Sequence, residues 1–391
     1  MRWLVLSISL VLPALVAGAP LESKLAESNN AFALDLYGKL AKEPGNLFFS
    51  PYSISSAFAM TWAGARGATA KEMAKVLHFG KPDAVHAGFD ALNKELLGPA
   101  KPGYQLSLAN KLFVQNGFKL LAPFTAITRD RYGAPIELVQ FGPESTRLKI
   151  NTWVEDQTGK RIKDLIPPGV LTADTAMVLV NAIYFKGTWI QEFDRDATKP
   201  APFFAGGKTF DVPTMNGKKK ARYGERDNVQ VLELPYQGGD VTMLVLLPRA
   251  KDGLAALEKK LDAKAFEEYV ATLQPTEVNV HLPRFRLEQT LVLPDTLKAM
   301  GMKKAFVGGQ ADFSGMDGTR QLYISAAFHK AFVEVNEEGT EAAAATAVVM
   351  GRSASVEPPK PDFRADHPFM FALRDSKSGS VLFVGRVADP R

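Results

Sequence analysis

The sequence predicts one mixed α+β domain, and three patterns along the chain support that class. Phe32, Leu36 and Leu40 recur at four-residue spacing, which indicates a helix near the start. A nearly continuous apolar stretch at residues 175–185 is typical of a strand covered on both faces. Strand pairs joined by short turns fill the last part of the chain. Helices early and antiparallel strands late favour an α+β domain over an alternating parallel sheet.

The other elements follow from the same patterns. A capping box at residues 69–72 predicts the start of a helix, and apolar spacing over residues 85–96 predicts the next one. Alternation over residues 106–114 predicts a strand, and Gly159 ends a helix predicted near residues 148–158. Two hairpins are expected later, formed by residues 231–236 with 241–248 and by residues 369–375 with 381–387.

Composition limits the class of protein. The chain has 391 residues, 46% of them apolar, a formal net charge of +5 and no cysteine, so disulfides and thiol chemistry are excluded. Residues 1–19 combine Arg2, an apolar run and a small-residue exit, which predicts a signal peptide and secretion to an extracellular or periplasmic space. A membrane anchor is the alternative, but Pro13 interrupts the short run. Residues 22–391 are predicted to form a single domain.

Common catalytic and binding motifs find little support. A G-x-S-x-G nucleophile motif does not occur in the sequence, and the five histidines lack metal-ligand spacing. The GGKT sequence at residues 206–209 imitates a phosphate loop but is better interpreted as a β-turn. The lysine run at residues 218–220 is interpreted as a solvated turn rather than a polyanion site. We therefore expect no cofactor, no metal, no nucleic-acid partner and no membrane partner.

Five stretches resemble the serpin family of protease inhibitors. They occur in the family's order and cover about residues 30–390. The stretches are NLFFSPYSISSAFAMTWAGARGATAKEM from Asn46, LVNAIYFKGTW from Leu179, VHLPRF from Val280, HKAFVEVNEEGTEAAAAT from His329, and HPFMFALRD with GSVLFVGRVADP at the end.

The resemblance implies a fold of three β-sheets with about eight or nine helices and an exposed reactive-centre loop at about residues 337–361. A target serine protease would attack the loop and form a covalent acyl-enzyme complex. The cut loop would then insert as a new central strand, and the protease would be distorted before water releases it. The chain itself, expected to be a monomer, would not be an enzyme.

The resemblance also assigns a hinge from which the loop inserts. It consists of Glu337, Glu338, Gly339, Thr340, Glu341, Ala342, Ala343, Ala344, Ala345 and Thr346. As a strand, this segment would turn uncharged side chains inward at Thr340, Ala342, Ala344, Thr346 and Val348. Small inward side chains can pass between two parting strands without burying a charge. The alternative for the alanine run alone is an exposed helix or a flexible tether.

Two further groups are implied by the resemblance. A shutter beneath the parting strands would consist of Ser50, Ser53, Asn181 and His329. A breach at the top of the sheet would consist of Trp189, Arg284 and Glu337. The alternatives are core polar residues with no switching role and an ordinary surface ion pair.

The scissile bond has two candidate positions. The family's usual count from Gly339 gives Ser353-Ala354, whereas Arg352-Ser353 is the bond that a trypsin-like protease would choose. We favour cleavage after Arg352 and a secreted inhibitor of a trypsin-like protease, because a charged anchor is the stronger recognition feature. The alternatives are an elastase- or subtilisin-like target cutting near Val349, Met350 or Ser353, a non-inhibitory serpin that acts as a binding protein, and a hydrolase.

Overall fold

A computed structural model describes residues 21–98, 103–340 and 360–391. Two short 3₁₀ segments, Arg195–Ala197 and Lys304–Phe306, accompany the helices. The α-helices in these ranges are α1 Leu21–Leu40, α2 Pro51–Trp62, α3 Gly67–Val76, α4 Pro82–Leu96, α5 Ala122–Tyr132, α6 Glu144–Gln157, α7 Leu254–Lys260, α8 Ala263–Val270, α9 Leu293–Met300 and α10 Ser314–Asp317. The described helices are thus slightly more numerous than the resemblance implied.

The described strands form two hydrogen-bonded sheets. The six-stranded sheet has the order β10-β11-β12-β4-β2-β3, and the nine-stranded sheet has the order β1-β15-β14-β8-β7-β6-β9-β13 with β5 paired to β6. The strands are β1 Leu47–Phe49, β2 Tyr104–Gln115, β3 Glu137–Val139, β4 Met177–Thr188, β5 Lys199–Ala205, β6 Lys208–Arg226, β7 Val229–Pro235, β8 Val241–Pro248, β9 Gln274–Pro283, β10 Phe285–Val292, β11 Ala326–Asn336, β12 Gly339–Thr340, β13 Asp362–Arg364, β14 Phe369–Asp375 and β15 Val381–Val387.

The α+β class and both predicted hairpins are confirmed. Strands β7 and β8 pair antiparallel, as do β14 and β15. The long strand β6 pairs with β5 and β9 along most of its length and with β7 at its end. The second and third sheets that the resemblance implied are therefore joined through β6 into one network.

Helix α2 lies between the two sheets and explains how the core is built. It contacts β2 and β4 on one side and β15 on the other, and all twelve of its residues are buried. Its sides are apolar or small all round, as expected for a helix covered on every side. Pro51 occupies the first turn, where no backbone donor is needed, and the Ser50 hydroxyl accepts a hydrogen bond from the Ser53 backbone N–H.

The opposite face of the six-stranded sheet is covered by α6 and the segment that follows it. A second apolar cluster joins Ile150 and Val154 of the helix to Val180 of β4 and Phe328 of β11. Trp153 packs edge-on against Phe113 of β2. The central strands are thus buried on both faces, which explains the continuous apolar sequence of β4.

Two local predictions are wrong. The helix near residue 69 begins at Gly67, and Thr69 instead accepts a hydrogen bond from the backbone N–H of Asp312, so residues 69–72 do not cap it. The lysine run at residues 218–220 lies within β6 rather than in a turn, and Lys219 is buried. Its ammonium group donates to the carbonyl oxygens of Gln191 and Glu192. Tertiary partners decided both outcomes.

Among the described helices, we find none with both the length and the apolar character needed to span a bilayer. The predicted signal peptide at residues 1–19 lies outside the described residues.

Candidate functional site

The hinge begins between two central strands. Strands β4 and β11 pair in parallel from Val178 to Tyr184 of β4, and above this point the short strand β12 lies between them. Strand β12 pairs antiparallel with both neighbours, so that Thr340 lies opposite Gly187 of β4 and Val335 of β11. Gly339 and Thr340 of the predicted hinge therefore already occupy the position of a central strand.

Thr340 fixes which side of this strand faces the core. Its side chain is fully buried, and its hydroxyl lies 2.7 Å from the hydroxyl of Tyr236. Because strand side chains alternate, residues at even spacing from Thr340 face the same way when the strand is extended. Thr340 is the first of the residues predicted to face inward, and its side chain lies on the core side of the sheet.

Gly339 makes the close approach that this position requires. Its φ of 146° lies in a backbone region that residues other than glycine rarely adopt. A Cβ atom there would also collide with the carbonyl oxygen of Gly187 on β4. Glycine is thus required by both backbone conformation and space.

The three predicted breach residues meet around the turn that precedes β12. Trp189 stacks on Tyr236 with ring centroids 4.3 Å apart, and its indole N–H donates to the carbonyl oxygen of Asn336 at 3.0 Å. Its backbone N–H donates to the carbonyl oxygen of Glu338 at 2.8 Å. Arg284 donates from Nε to Oε1 of Glu337 at 2.6 Å. The residues are brought together, while their role in opening the sheet stays a prediction.

Two glutamates of this turn are buried and paired. Burial alone would raise the pKa of the Glu337 carboxyl, but hydrogen bonds from Arg284 and Thr198 outweigh it and hold that pKa below its usual value. Glu338 forms an ion pair with Arg195. Both glutamate side chains are only 4% exposed, so these contacts differ from an ion pair in which both partners are exposed at the surface.

We expect an Arg284→Ala variant to lose about 1–3 kcal/mol of unfolding free energy, because a buried Glu337 carboxylate loses its cation. The half exposure of Arg284 keeps the loss below that of a fully buried pair. Arg249→Ala is the matched control, since its pair with Glu225 is exposed on both sides and should contribute less than about 1 kcal/mol. Urea unfolding followed by fluorescence compares the two, and equal losses would show that Glu337 does not depend on Arg284.

The four predicted shutter residues form one buried network. The Ser50 backbone N–H donates to Nε2 of His329 at 3.0 Å, and the Ser50 hydroxyl donates to the carbonyl oxygen of Leu382 at 2.5 Å. The Asn181 amide donates to the carbonyl oxygen of Ser53 at 3.1 Å and also contacts the Ser53 hydroxyl. The network ties α2 to β4 and β11, and its role in gating the sheet stays a prediction.

The tautomer of His329 follows from its partners. A backbone N–H can only donate, so Nε2 accepts from Ser50, and Nδ1 carries the proton that is donated to Oδ1 of Asn181. Burial lowers the pKa of His329 to about 3, so the ring is neutral at pH 7. The His329–Asn181 hydrogen bond directly joins β11 to β4.

This buried histidine predicts acid sensitivity. Below a pH of about 6.5, His329 binds a proton in the unfolded chain but not in the native state. The free energy of unfolding therefore decreases as the pH is lowered, by up to about 1.4 kcal/mol per pH unit. The loss should continue down to the native pKa of about 3. We expect His329→Gln, which cannot titrate, to flatten this slope between pH 6 and 4 in urea unfolding. His86, whose pKa burial lowers to about 4, contributes equally to both proteins and cancels. Parallel slopes for the two proteins would contradict the assignment.

Several contributing residues were not singled out from the sequence. Asn110 of β2 lies directly opposite Asn181 and extends the polar row across a third strand. Tyr236 contacts Thr340 of β12, and Thr198 and Arg195 contact the two glutamates of the turn before it. The only sequence signal for Asn110 was a polar residue on the apolar side of an alternating strand.

Other predicted residues lie outside the described ranges. These are hinge residues 341–346 and both candidate scissile bonds, at Arg352, Ser353 and Ala354. Within the described ranges, we find no group of histidine, aspartate and glutamate residues arranged to hold a metal ion.

Comparison with known proteins identifies the family. The model of the family described as "Serpin (serine protease inhibitor)" matches residues 27–390. The horse (Equus caballus) protein named leukocyte elastase inhibitor is 43% identical over 380 residues, which cover 94% of this chain and 100% of the relative. Human (Homo sapiens) Serpin B3 is 41% identical over 392 residues, with the same coverage of both chains.

The fold is similar to solved serpins as well. The crystal structure of Serpin48 from the insect Tenebrio molitor superposes with a TM-score of 0.85 at 33% identity, covering 94% of this chain and 98% of that one. The family is one of protease inhibitors, which confirms the prediction that the chain is not an enzyme. From the match over residues 27–390 and the shared fold, we conclude that the chain belongs to the serpin family.

Proposed function

We propose that this serpin inhibits an elastase-like serine protease by trapping it after cleavage of the loop. One observation carries the trapping step, namely that β12 already pairs with both β4 and β11 at the top of the six-stranded sheet. A cut loop need only continue a strand that has begun. The elastase-like target is supported by the relatives, several of which are named leukocyte elastase inhibitors.

The expectation of a secreted inhibitor of a trypsin-like protease is wrong as the main interpretation. Relatives that align with 94% of this chain carry the name leukocyte elastase inhibitor, which favours the elastase-like alternative and gives no support to secretion or to a trypsin-like target. The error came from giving one residue, Arg352, more weight than the family's usual count from Gly339. The signal peptide at residues 1–19 stays a prediction.

The register of β12 supplies the geometry of insertion. Extended residue by residue, it would bring Thr346 opposite Asn181 on β4 and His329 on β11. These two residues are direct partners in the native parallel pairing. Insertion would therefore require the His329–Asn181 hydrogen bond to break, which gives the shutter its proposed role as the latch between the strands.

The energetics favour insertion once the loop is cut. The new strand would replace one parallel pairing of β4 and β11 with two antiparallel pairings, and antiparallel pairs are slightly more stable per residue. About a dozen new hydrogen bonds at roughly 1 kcal/mol each give on the order of 10 kcal/mol. This is comparable to the stability of a whole domain and therefore sufficient to distort a tethered enzyme.

An elastase-like target changes the expected scissile bond. A small specificity pocket accepts short uncharged side chains and rejects the guanidinium of Arg352. Ser353 meets this requirement and is the residue that the family's usual count gives. We therefore propose cleavage between Ser353 and Ala354, in a covalent complex of one serpin monomer with one protease.

The test is incubation with leukocyte elastase and, separately, with trypsin. With elastase we expect a complex that survives boiling in SDS and a released peptide that begins at Ala354 by mass spectrometry. With trypsin we expect mostly cleavage after Arg352, which leaves a peptide beginning at Ser353. If elastase cleaves the loop and departs without a stable complex, while trypsin is trapped, the proposed target class is wrong.

A further inference from the structure

A cationic cavity lies on the face of the six-stranded sheet that is covered by α6. It has a volume of about 430 Å³ and is formed by the segment after α6 together with β10 and β11. Five of its lining residues are basic and two are acidic, Asp164 and Glu288. The basic residues are Lys160, Arg161, Lys163, Arg286 and Lys330.

Some of the charged groups in this cavity have ion-pair partners among the described residues and others do not. Glu288 is neutralised by Lys330, whose ammonium group lies 2.8 Å from Oε1 and also donates to the carbonyl oxygen of Lys163 at 2.7 Å. Arg286 lies 3.8 Å from Oε2 of the same Glu288 and over the ring of Phe332, 4.9 Å from its centroid, and it remains 64% exposed. In the described part of the chain, the ammonium groups of Lys160 and Lys163 form no ion pair. An excess of positive charge is therefore directed into a concave space.

We propose that this cavity binds a compact polyanion, a small molecule that carries several phosphate or sulfate groups. The cations come from three separate chain segments and surround one cavity, which suits a compact ligand. An extended sulfated chain would instead require a line of cations along the surface. Multiple phosphate groups match several ammonium and guanidinium donors through charge-assisted hydrogen bonds.

The cavity lies beside the line along which β4 and β11 meet. Arg161 hydrogen-bonds the hydroxyl of Tyr184 on β4, and Tyr184 is the direct partner of Phe332 on β11. Ile162, between the cavity residues Arg161 and Lys163, is fully buried in the apolar cluster that contains both rings. The segment thus contacts both of the strands that must separate for a loop to insert.

An anion held between this segment and β10 and β11 would stabilise the closed sheet. It would add contacts that exist only while the segment remains in its native position, and a ligand that binds one state shifts the equilibrium toward it. Insertion would then be slower, and more inhibitor would be cleaved for each protease trapped. This consequence rests on the proposed function, whereas binding itself does not.

Tripolyphosphate is the probe, titrated by calorimetry into the full chain at low salt. We expect binding that weakens by at least about tenfold in Lys160→Gln/Arg286→Gln and that weakens further as salt is raised. Lys160→Gln/Lys163→Gln, which changes only exposed residues, is a second variant in case the first folds poorly, and we expect the same loss. The control Lys259→Gln/Lys260→Gln makes the same charge change on exposed residues of α7 and should bind as the wild type does.

Two outcomes would overturn the site. Equal weakening in the control would mean attraction by net charge only, and binding of a long heparin chain without binding of tripolyphosphate would mean an extended rather than a compact ligand. Binding is measured without any protease, so its failure is distinct from failure of the trapping mechanism. In a second measurement, tripolyphosphate should increase the number of inhibitor molecules cleaved per elastase trapped, and this increase should disappear in the cavity variants.

Discussion

An Ala344→Arg variant is expected to be cut by leukocyte elastase as an ordinary substrate, with the number of molecules cleaved per protease trapped rising by at least about tenfold. Ala344 lies outside the described residues, but it has even spacing from Thr340, whose side chain faces the core. An arginine there would have to enter the sheet interior during insertion. Burial of an unpaired charge slows insertion, so that hydrolysis of the acyl-enzyme becomes faster than insertion and releases the protease.

Ala343→Arg is the matched control, because it adds the same side chain on the opposite face of the strand. It should retain most of the trapping activity. A second measurement is thermal unfolding after cleavage, where the wild type should melt on the order of 10 °C higher than before and Ala344→Arg should not. If both variants trap elastase equally well, residues 341–346 do not insert as a strand in which the residues at even spacing from Thr340 face the core.

An Asn181→Ala variant should lose about 3 kcal/mol of unfolding free energy. The change removes the acceptor for the Nδ1 proton of His329, which leaves that buried N–H without a partner. It also removes the amide that donates to the Ser53 carbonyl oxygen and contacts the Ser53 hydroxyl. The change thus eliminates the side-chain hydrogen bond between His329 and Asn181, which adds to the backbone pairing of β4 with β11. The variant should therefore lose inhibitory activity faster on storage at 37 °C, because uncut loops can insert more readily.

Asn116→Ala is the appropriate control, since it makes the same chemical change at an exposed turn position and should alter stability by less than about 0.5 kcal/mol. Urea unfolding gives the stabilities, and residual elastase inhibition over several days gives the loss of activity. A loss below about 1 kcal/mol for Asn181→Ala would mean that the polar row between the strands contributes little to the closed sheet.

Much of the fold could be predicted because the pattern along the chain reflects burial directly. The continuous apolar sequence of β4 predicted a strand covered on both faces, and α2 and α6 do cover it. The hairpin of β14 and β15 was visible because alternation and a turn are local properties. The capping box failed because Thr69 and Glu72 bond instead to residues more than two hundred positions away.

The sequence predicted the shutter, the hinge and the target protease with unequal success. Motif resemblance named Ser50, Asn181 and His329. The direction of each hydrogen bond follows from the partners that the fold brings together, and the neutral state of His329 follows from its burial. Motif resemblance also named the hinge, which stays a prediction, whereas the position of Gly339 and Thr340 between β4 and β11 required the sheet register. Sequence alone gave the wrong target, because one arginine near the cut site carries less information than similarity over the whole chain.

By itself, the sequence determined the order of helices and strands and the family to which the chain belongs, because periodicity and motifs are written along one dimension. Only the tertiary structure decided that Thr340 contacts Tyr236, that Lys219 is a buried strand residue, and that five cations meet in one cavity. The physical reason is that pKa values, buried ion pairs and cavities depend on distances between residues far apart in the chain, which only the folded packing fixes.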